Sequence, residues 1–553
     1  MEPAGEGWFE VTVSGVAADA AYCFRLADGQ EVPDPASHDQ PQGLDGPSVL
    51  VDHTAYRWQT ADWRGRPWEE SVLSEIHVGT FTEEGTYAAA TRHLAHLANT
   101  GINALEILPL AQMPGERGWG YDGVLHYAPH HAYGRPDELK AFVDAAHAHG
   151  IAVYLDVVYN HFGPRGNVLP LYAPGFFNAD RPTPWGASVN FSEASVRRYF
   201  IENALHWFER YRFDGLRLDA THEIYDTSEQ HVLAAVVAEV RARLPERNIH
   251  LIAEGQRHRP GMIAYRAGRP LLYDAGWNDH VHQALNVMVT GETGGYYGDF
   301  AAAPERGLAL ALEGRRPGGR SDREIVDEAD YAEAHWPPQA FMNFLQNHDQ
   351  VGNRAFGDRL WTRIDPAIAR VLTAFLILAP QVPLVFMGDE YGETRPFLFF
   401  ADYEGEIGQT VRDGRRAEAV NFSSLPAGDA DTALPDPLDV STFLKSKLDW
   451  RHAKTPAGRD RLALHRQLIA LRRRHIIPLL ALGEPVKANV LCAQNGTVAM
   501  EWLFTGGGRL TLGLRLGMSA DPLPQISGTV IWRDVATGDP VGTAEIVVAR
   551  TDA

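Results

Sequence analysis

From about Ser71 to Met387, apolar runs of strand length alternate with stretches whose apolar residues recur at helical spacing. The runs are Ser74–Phe81, Ile102–Leu110, Ile151–Val158, Phe213–Leu218, Ile249–Ala253, Leu271–Ala275, Phe341–Leu345 and Leu384–Met387. Amphipathic stretches lie between them, including Tyr87–Asn99, Pro136–His149, Ser195–Tyr211 and Ser228–Leu244. Runs apolar throughout are strands covered on both faces. Eight of them alternating with helices predict an α/β fold, a closed parallel (β/α)8 or TIM barrel. An open doubly wound sheet is the alternative, but no Gly-rich phosphate loop follows the first run. The most apolar stretch, Val371–Met387, is interrupted by Pro380, Gln381 and Pro383. It reads as a buried helix, a turn and a buried strand, too short and broken to span a bilayer.

The flanks follow another pattern. Residues 8–30 hold short alternating segments such as Trp8-Phe9-Glu10-Val11-Thr12-Val13, separated by Gly and Asp. They predict an N-terminal β-sandwich-like domain over residues 1–60, with a linker to about 70. A full sandwich needs about seven strands, so this one reads as truncated. The catalytic barrel is expected over 71–475 and a C-terminal β domain over 476–553, where short β runs return. Residues 305–335, Gly- and Arg-rich and then acidic, read as a surface excursion, and Arg459–Arg474 as a helix leading into the last domain. A chain of 553 residues exceeds one hydrophobic core, in keeping with this division.

Charge narrows the partners. A net charge of -21 argues against nucleic acid and anionic membrane and suits a neutral substrate such as a sugar. Cys23 and Cys492 are too few for a disulfide framework or a cysteine-rich zinc site, which fits a reducing cytoplasm. The first residues show no basic and then apolar signal pattern, so a cytoplasmic location is expected. The sequence assigns no oligomeric state.

In a parallel barrel the chemistry sits where strands end. The third run continues Asp156-Val157-Val158-Tyr159-Asn160-His161, and the fourth ends Arg217-Leu218-Asp219-Ala220-Thr221-His222. The fifth ends at Glu254, and the seventh continues Gln346-Asn347-His348-Asp349. A single carboxylate after a strand more often caps a helix or pairs with an arginine than it catalyses. Four such strand ends in one barrel are hard to explain as caps. Arg217 lies two residues before Asp219, so the two share a strand face and a positive charge stands beside that carboxylate. Glu254 follows Leu251-Ile252-Ala253, and an apolar setting is expected to raise its pKa, as a general acid requires.

These segments resemble the sequence regions of the α-amylase superfamily, glycoside hydrolase family 13. The resemblance implies a retaining glycosidase in which Asp219 is the nucleophile, Glu254 the acid/base and Asp349 the transition-state stabiliser. It further implies that Tyr121, His161, Arg217 and His348 bind the reacting glucose. The longer stretches Glu75–Thr82, Gly118–Val124, Gln346–Arg354 and Glu393–Phe400 resemble the maltooligosyltrehalose trehalohydrolases within that superfamily. Those enzymes cleave the α-1,4 bond next to the terminal trehalose of maltooligosyl trehalose. His222, Asp279, His280, His282, Gln350 and Asn353 are then further substrate-binding candidates. Glycogen branching enzymes are the alternative, but their segment around the seventh-strand Asp lacks Gln-Val-Gly-Asn-Arg.

The chain departs from the family pattern at Glu223 after His222, at Gly255-Gln256 after Glu254, and across Asp279–Gln283. Asp156 and Asn160 match positions that support calcium in many amylases, yet no metal and no cofactor is expected, as is general for trehalohydrolases. His147 and His149 read as surface residues, and His126, His130 and His131 as loop residues. Trp119, Trp185 and Trp277 are either sugar-stacking platforms or core.

Overall fold

A computed structural model describes the chain outside residues 6–7, 184–185, 256–259, 315–334, 422–433, 482–485, 518–519, 539–541 and 553. Eight parallel strands close into a barrel: β1 (Leu73–Ile76), β2 (Ala104–Ile107), β3 (Ala152–Val157), β4 (Gly215–Leu218), β5 (His250–Ala253), β6 (Ala275–Trp277), β7 (Phe341–Phe344) and β8 (Val382–Phe386). Each strand pairs with its successor in the chain, and β8 pairs with β1. Every residue of these strands is shielded from solvent, which is why they read as largely apolar runs.

The helices include α1 (Leu94–Thr100), α2 (Pro136–Ala148), α3 (Ala194–Arg210), α4 (Val232–Arg243), α5 (Asp279–Thr290), α6 (Pro304–Glu313), the short α7 (His348–Gly352) after β7, α8 (Pro366–Leu378) and α9 (Pro456–Leu471). Local chemistry sets their ends. α2 opens on Pro136, which has no N–H to leave unsatisfied, and Glu138 reaches back to the Arg135 N–H at 2.8 Å. α8 is capped by Asp365, which accepts the Ala367 N–H at 2.7 Å.

Several boundaries differ from the sequence expectation. The first run was expected to be strand through Phe81, but β1 stops at Ile76 and Val78–Phe81 is a helical turn beside the cleft. The sixth strand was expected over Leu271–Ala275 and lies instead at Ala275–Trp277. There the Asp274 carboxylate accepts the Leu251 N–H at 2.9 Å and ends the preceding loop. The helix expected over Tyr87–Asn99 breaks into Tyr87–Thr91 and α1. The apolar stretch does divide into helix, turn and strand at Pro380. Among the described residues, no helix is long and apolar enough to cross a membrane.

The N-terminal β region consists of short antiparallel pairs, Glu2–Gly5 with Trp8–Glu10, Ala21–Tyr22 with Ser48–Val49, and Phe24–Arg25 with Glu31–Val32. Phe9, Val11 and Val13 are exposed, so these residues form no packed core. After α9 a five-stranded antiparallel sheet forms: β9 (Lys487–Gln494), β10 (Thr497–Leu503), β11 (Arg509–Gly517), β12 (Thr529–Gly538) and β13 (Gly542–Thr551), in the order β9-β10-β11-β13-β12. Val498, Met500 and Trp502 alternate inward with Leu510, Leu512 and Leu514. This face closes against α6 and α8, the latter apolar on nearly every side.

Candidate active site

The carboxyl ends of the barrel strands converge on one cleft. Arg217 on β4 is its hub: its Nη1 donates to Asp156 Oδ2 at 2.7 Å and to Asp219 Oδ1 at 2.8 Å. Its guanidinium carbon lies 3.9 Å from the centre of the Trp277 ring. Asp219 follows the last residue of β4 and also accepts from Asn160 Nδ2 at 3.0 Å. Its side chain retains 17% exposure, so one side stays open to the cleft.

Glu254 follows the last residue of β5, next to Asp219, because Leu218 pairs with Ala253. Its Oε2 accepts the Ala220 N–H at 2.6 Å. Ala220 reaches that position in a left-handed conformation (φ 40°, ψ 50°), a strain of roughly 1–2 kcal/mol for a residue with a Cβ. Burial raises the Glu254 pKa to about 8; Arg217 opposes the shift, and the charges of Asp219, Asp279 and Asp349 add to it. The carboxyl group is therefore protonated at neutral pH, as the apolar end of its strand implied.

Gly255 departs from the family pattern for a geometric reason. Its φ is +82°, and a Cβ there would lie 2.1 Å from His222 Nδ1. The imidazole of His222 occupies the space a side chain would need. Glu223, the other departure, is exposed, with Oε1 3.6 Å from His222 Nε2.

Beneath the carboxylates runs a layer of buried charge. His348, in the first turn of α7, is held by Glu75 of β1: the carboxylate takes the His348 N–H at 2.9 Å and faces Nδ1 at 2.6 Å. Burial works against a charged ring here, but Glu75 and Asp349 outweigh it and bring its pKa to about 9. Glu106 of β2 pairs in register with Glu75. Burial drives its pKa well upward, and both its oxygens lack a hydrogen-bond partner. Neither Glu75 nor Glu106 stood out as a candidate in the sequence. The available signal was a lone carboxylate inside an otherwise apolar strand.

Asp349 is the most open of the trio, with 47% of its side chain exposed; Asn353 Nδ2 lies 3.4 Å from its Oδ1. Asn347 caps α7 by accepting the N–H groups of Asp349 and Gln350, which fixes where Asp349 leaves the strand. Gln350 reaches across to Asp279 Oδ1 at 3.4 Å, and His280 packs near Phe300. Tyr121 donates to Asp156 at 2.6 Å and stacks on His348 with ring centres 5.1 Å apart.

Two predicted substrate contacts lie deeper. His161 is buried, with Nε2 2.9 Å from the Tyr121 carbonyl and Nδ1 against Asn160, so it fastens the loop that carries Tyr121. His282 is buried among core residues, with Nδ1 2.6 Å from the Leu345 carbonyl and Nε2 2.8 Å from the Tyr297 hydroxyl. Burial lowers its pKa to about 4. The sequence cannot separate His280 from His282, since helix position relative to the barrel decides which one turns inward.

Trp119 and Trp277 are buried parts of the wall, while Trp185, like Gln256, lies outside the described residues. His147, expected at the surface, is buried against Asp214 at 2.8 Å. His126 and His130 are also buried, His126 within a short strand, Leu125–Pro129.

Known proteins match this architecture. Residues 50–168 match the alpha-amylase family, described as "Alpha amylase, catalytic domain". A malto-oligosyltrehalose trehalohydrolase from Deinococcus radiodurans is 38% identical over 95% of this chain and 85% of its own. One from Rhizobium sp. (strain M-11) is 41% identical over 85% of this chain and 79% of its own. A 1.4 Å crystal structure of a putative alpha amylase from Salmonella typhimurium superimposes with a TM-score of 0.88 at 43% identity, covering 98% of this chain and 92% of that one. A 1,4-alpha-glucan branching enzyme from Pseudoalteromonas atlantica matches over only 40% of this chain and 34% of its own, at 29% identity. The chain belongs to the malto-oligosyltrehalose trehalohydrolases, glycosidases of the alpha-amylase family.

Proposed function

We propose that this enzyme hydrolyses the α-1,4-glucosidic bond next to the terminal trehalose of maltooligosyl trehalose, releasing trehalose and a shortened maltooligosaccharide, with Asp219 as nucleophile, Glu254 as acid/base and Asp349 as transition-state stabiliser. The observation that carries the chemistry is the asymmetry between two carboxyl groups on adjacent strand ends. Asp219 is bound by a guanidinium and an amide, both donors to a carboxylate. Glu254 keeps its proton to about pH 8. Neighbouring strands lie about 4.8 Å apart, the scale of the roughly 5–5.5 Å that a retaining pair needs across the scissile bond.

Glu254 gives its proton to the leaving glycosidic oxygen as an Asp219 oxygen attacks C1, forming a glycosyl-enzyme ester. Glu254, now a carboxylate, takes a proton from water, and that water opens the ester. Two displacements at C1 preserve the α configuration. Arg217 orients the nucleophile, while His348, positive at neutral pH, faces Asp349. Tyr121, His222, Asp279, His280, Gln350 and Asn353 are proposed to bind the sugar. His161 and His282 act indirectly, by holding the elements that carry these contacts.

Product analysis tests the substrate. Incubation with maltooligosyl trehalose is expected to release free trehalose, with the new reducing end α-configured at early times. New α-1,6 branches from amylose, without trehalose release, would reverse the assignment in favour of a branching transferase.

A further inference from the structure

Three histidines from two separate parts of the chain meet on the barrel flank, where the 31–60 segment packs against α3. His38 and His53 come from that segment and His206 from α3. One ligand atom from each can be chosen so that all three lie within 4.8 Å of one another. His38 Nδ1 and His53 Nε2 are 3.1 Å apart. The two nitrogens are joined by a hydrogen bond, and its length is close to the roughly 3.3–3.4 Å between ligand nitrogens of a tetrahedral zinc held at about 2.0–2.1 Å, so little movement separates the two arrangements.

The third ring is held ready. His206 Nε2 lies 3.0 Å from the Tyr127 carbonyl, which can only accept, so Nε2 carries the proton and Nδ1 keeps its lone pair. A ligand ring whose other nitrogen is fixed by a carbonyl is the usual outer arrangement of a metal-bound histidine. Tyr127 stacks on His38, and Tyr211 meets His53 edge-on, so aromatic rings enclose the cluster. His53 Nδ1, the outer nitrogen of its ring, is buried and has no hydrogen-bond partner, so His53 is less firmly oriented than His206.

We propose that His38, His53 and His206 form a structural site for a divalent cation of zinc type, with water as fourth ligand, that pins the 31–60 segment to the barrel. Imidazole donors without thiolates or carboxylates suit zinc better than calcium or magnesium. Arg210 and Lys140 face the same space, although Lys140 is paired with Asp137 at 2.8 Å. Their positive charge opposes a bound cation and weakens the site. The cluster lies apart from Asp219 and Glu254, and its role does not depend on the proposed reaction.

The test uses the purified full chain, stripped with chelator and titrated with zinc by calorimetry, with cobalt as a spectroscopic substitute. The expected result is one equivalent bound, a tetrahedral cobalt spectrum in the visible and a higher melting temperature with zinc. His206→Gln is expected to weaken binding at least about tenfold and abolish the zinc-dependent stabilisation, with kcat unchanged. Should His206→Gln fail to fold by circular dichroism, His38→Gln and His53→Gln, at less buried positions, make the same test. His149→Gln, on the exposed end of α2, should bind as the wild type does. Absence of saturable binding, or equal affinity in the folded cluster variants, overturns the proposal.

Discussion

A carboxylate flanks strand β4 at each end, Asp214 fully buried and Asp219 partly open, and the two have opposite surroundings. At the amino end Asp214 has no exposed side-chain surface. It accepts from His147 Nε2 at 2.8 Å, the Val153 N–H at 2.9 Å, Trp63 Nε1 at 2.8 Å and Arg247 Nη2 at 3.4 Å. Burial works against its charge, but His147, Arg247 and the Val153 N–H outweigh it and hold its pKa below the ordinary carboxylate value. At the carboxyl end Asp219 has two donor partners, Arg217 and Asn160, and an open side. Its neighbour Glu254 is left protonated at neutral pH. Burial alone therefore does not mark a reactive carboxylate. What differs is whether its hydrogen-bonding capacity is spent. Asp214 is saturated and ties β3, β4 and the linker together, while the opposite end keeps capacity for a substrate.

The sharpest way to break this contrast is to neutralise each end in turn. Asp219→Asn is expected to lower kcat by about 10⁴-fold or more while leaving the melting temperature nearly unchanged. Activity above a few per cent of wild type, measured on protein free of contaminating glycosidase, would end the nucleophile assignment. Glu254→Gln should cost about 10²–10⁴-fold in kcat/KM. It should also erase the basic limb, which in the wild type falls through about pH 8 as Glu254 loses its proton. A variant that keeps that limb would show that another group supplies it.

Asp214→Asn should do the reverse. A loss of about 3–5 kcal/mol in stability is expected, with kcat per folded molecule within about twofold of wild type. The pH dependence has a definite sign. Because the folded pKa of Asp214 is depressed, its contribution is present above the unfolded value near 3.9 and is lost as pH falls through the folded value. Wild type and variant should therefore converge in acid denaturation, and a constant gap down to low pH would contradict the saturated-carboxylate account. The smallest effect expected is that of Gly255→Ala. A Cβ against His222 and a positive φ together should lower kcat about tenfold by displacing Glu254, equivalent to roughly 1.4 kcal/mol. Its pH profile should keep the wild-type shape.

The two ends of β4 also show what can be read from a sequence. Asp219 was legible because it ends an apolar run together with Arg217, and the same pattern recurs at Glu254 and Asp349. Asp214 was not, because its partners Trp63, His147 and Arg247 lie 151, 67 and 33 positions away. Glu75 and Glu106 escaped notice for a similar reason. One carboxylate within a hydrophobic run carries no signal until strand register sets it beside Arg217 and His348.

The sequence by itself determined the barrel, the order of its strands and the carboxylates at their ends. Apolar runs at strand length and amphipathic helices are local patterns, and a parallel barrel places every strand end on one face. Only the tertiary structure decided the finer points. It turned His282 into the core, gave Gly255 its reason in the His222 ring, set the Glu254 proton near pH 8 and brought His38, His53 and His206 together. Each of these depends on distances between residues remote in the chain, and on the water they exclude from one another, which no local spacing encodes.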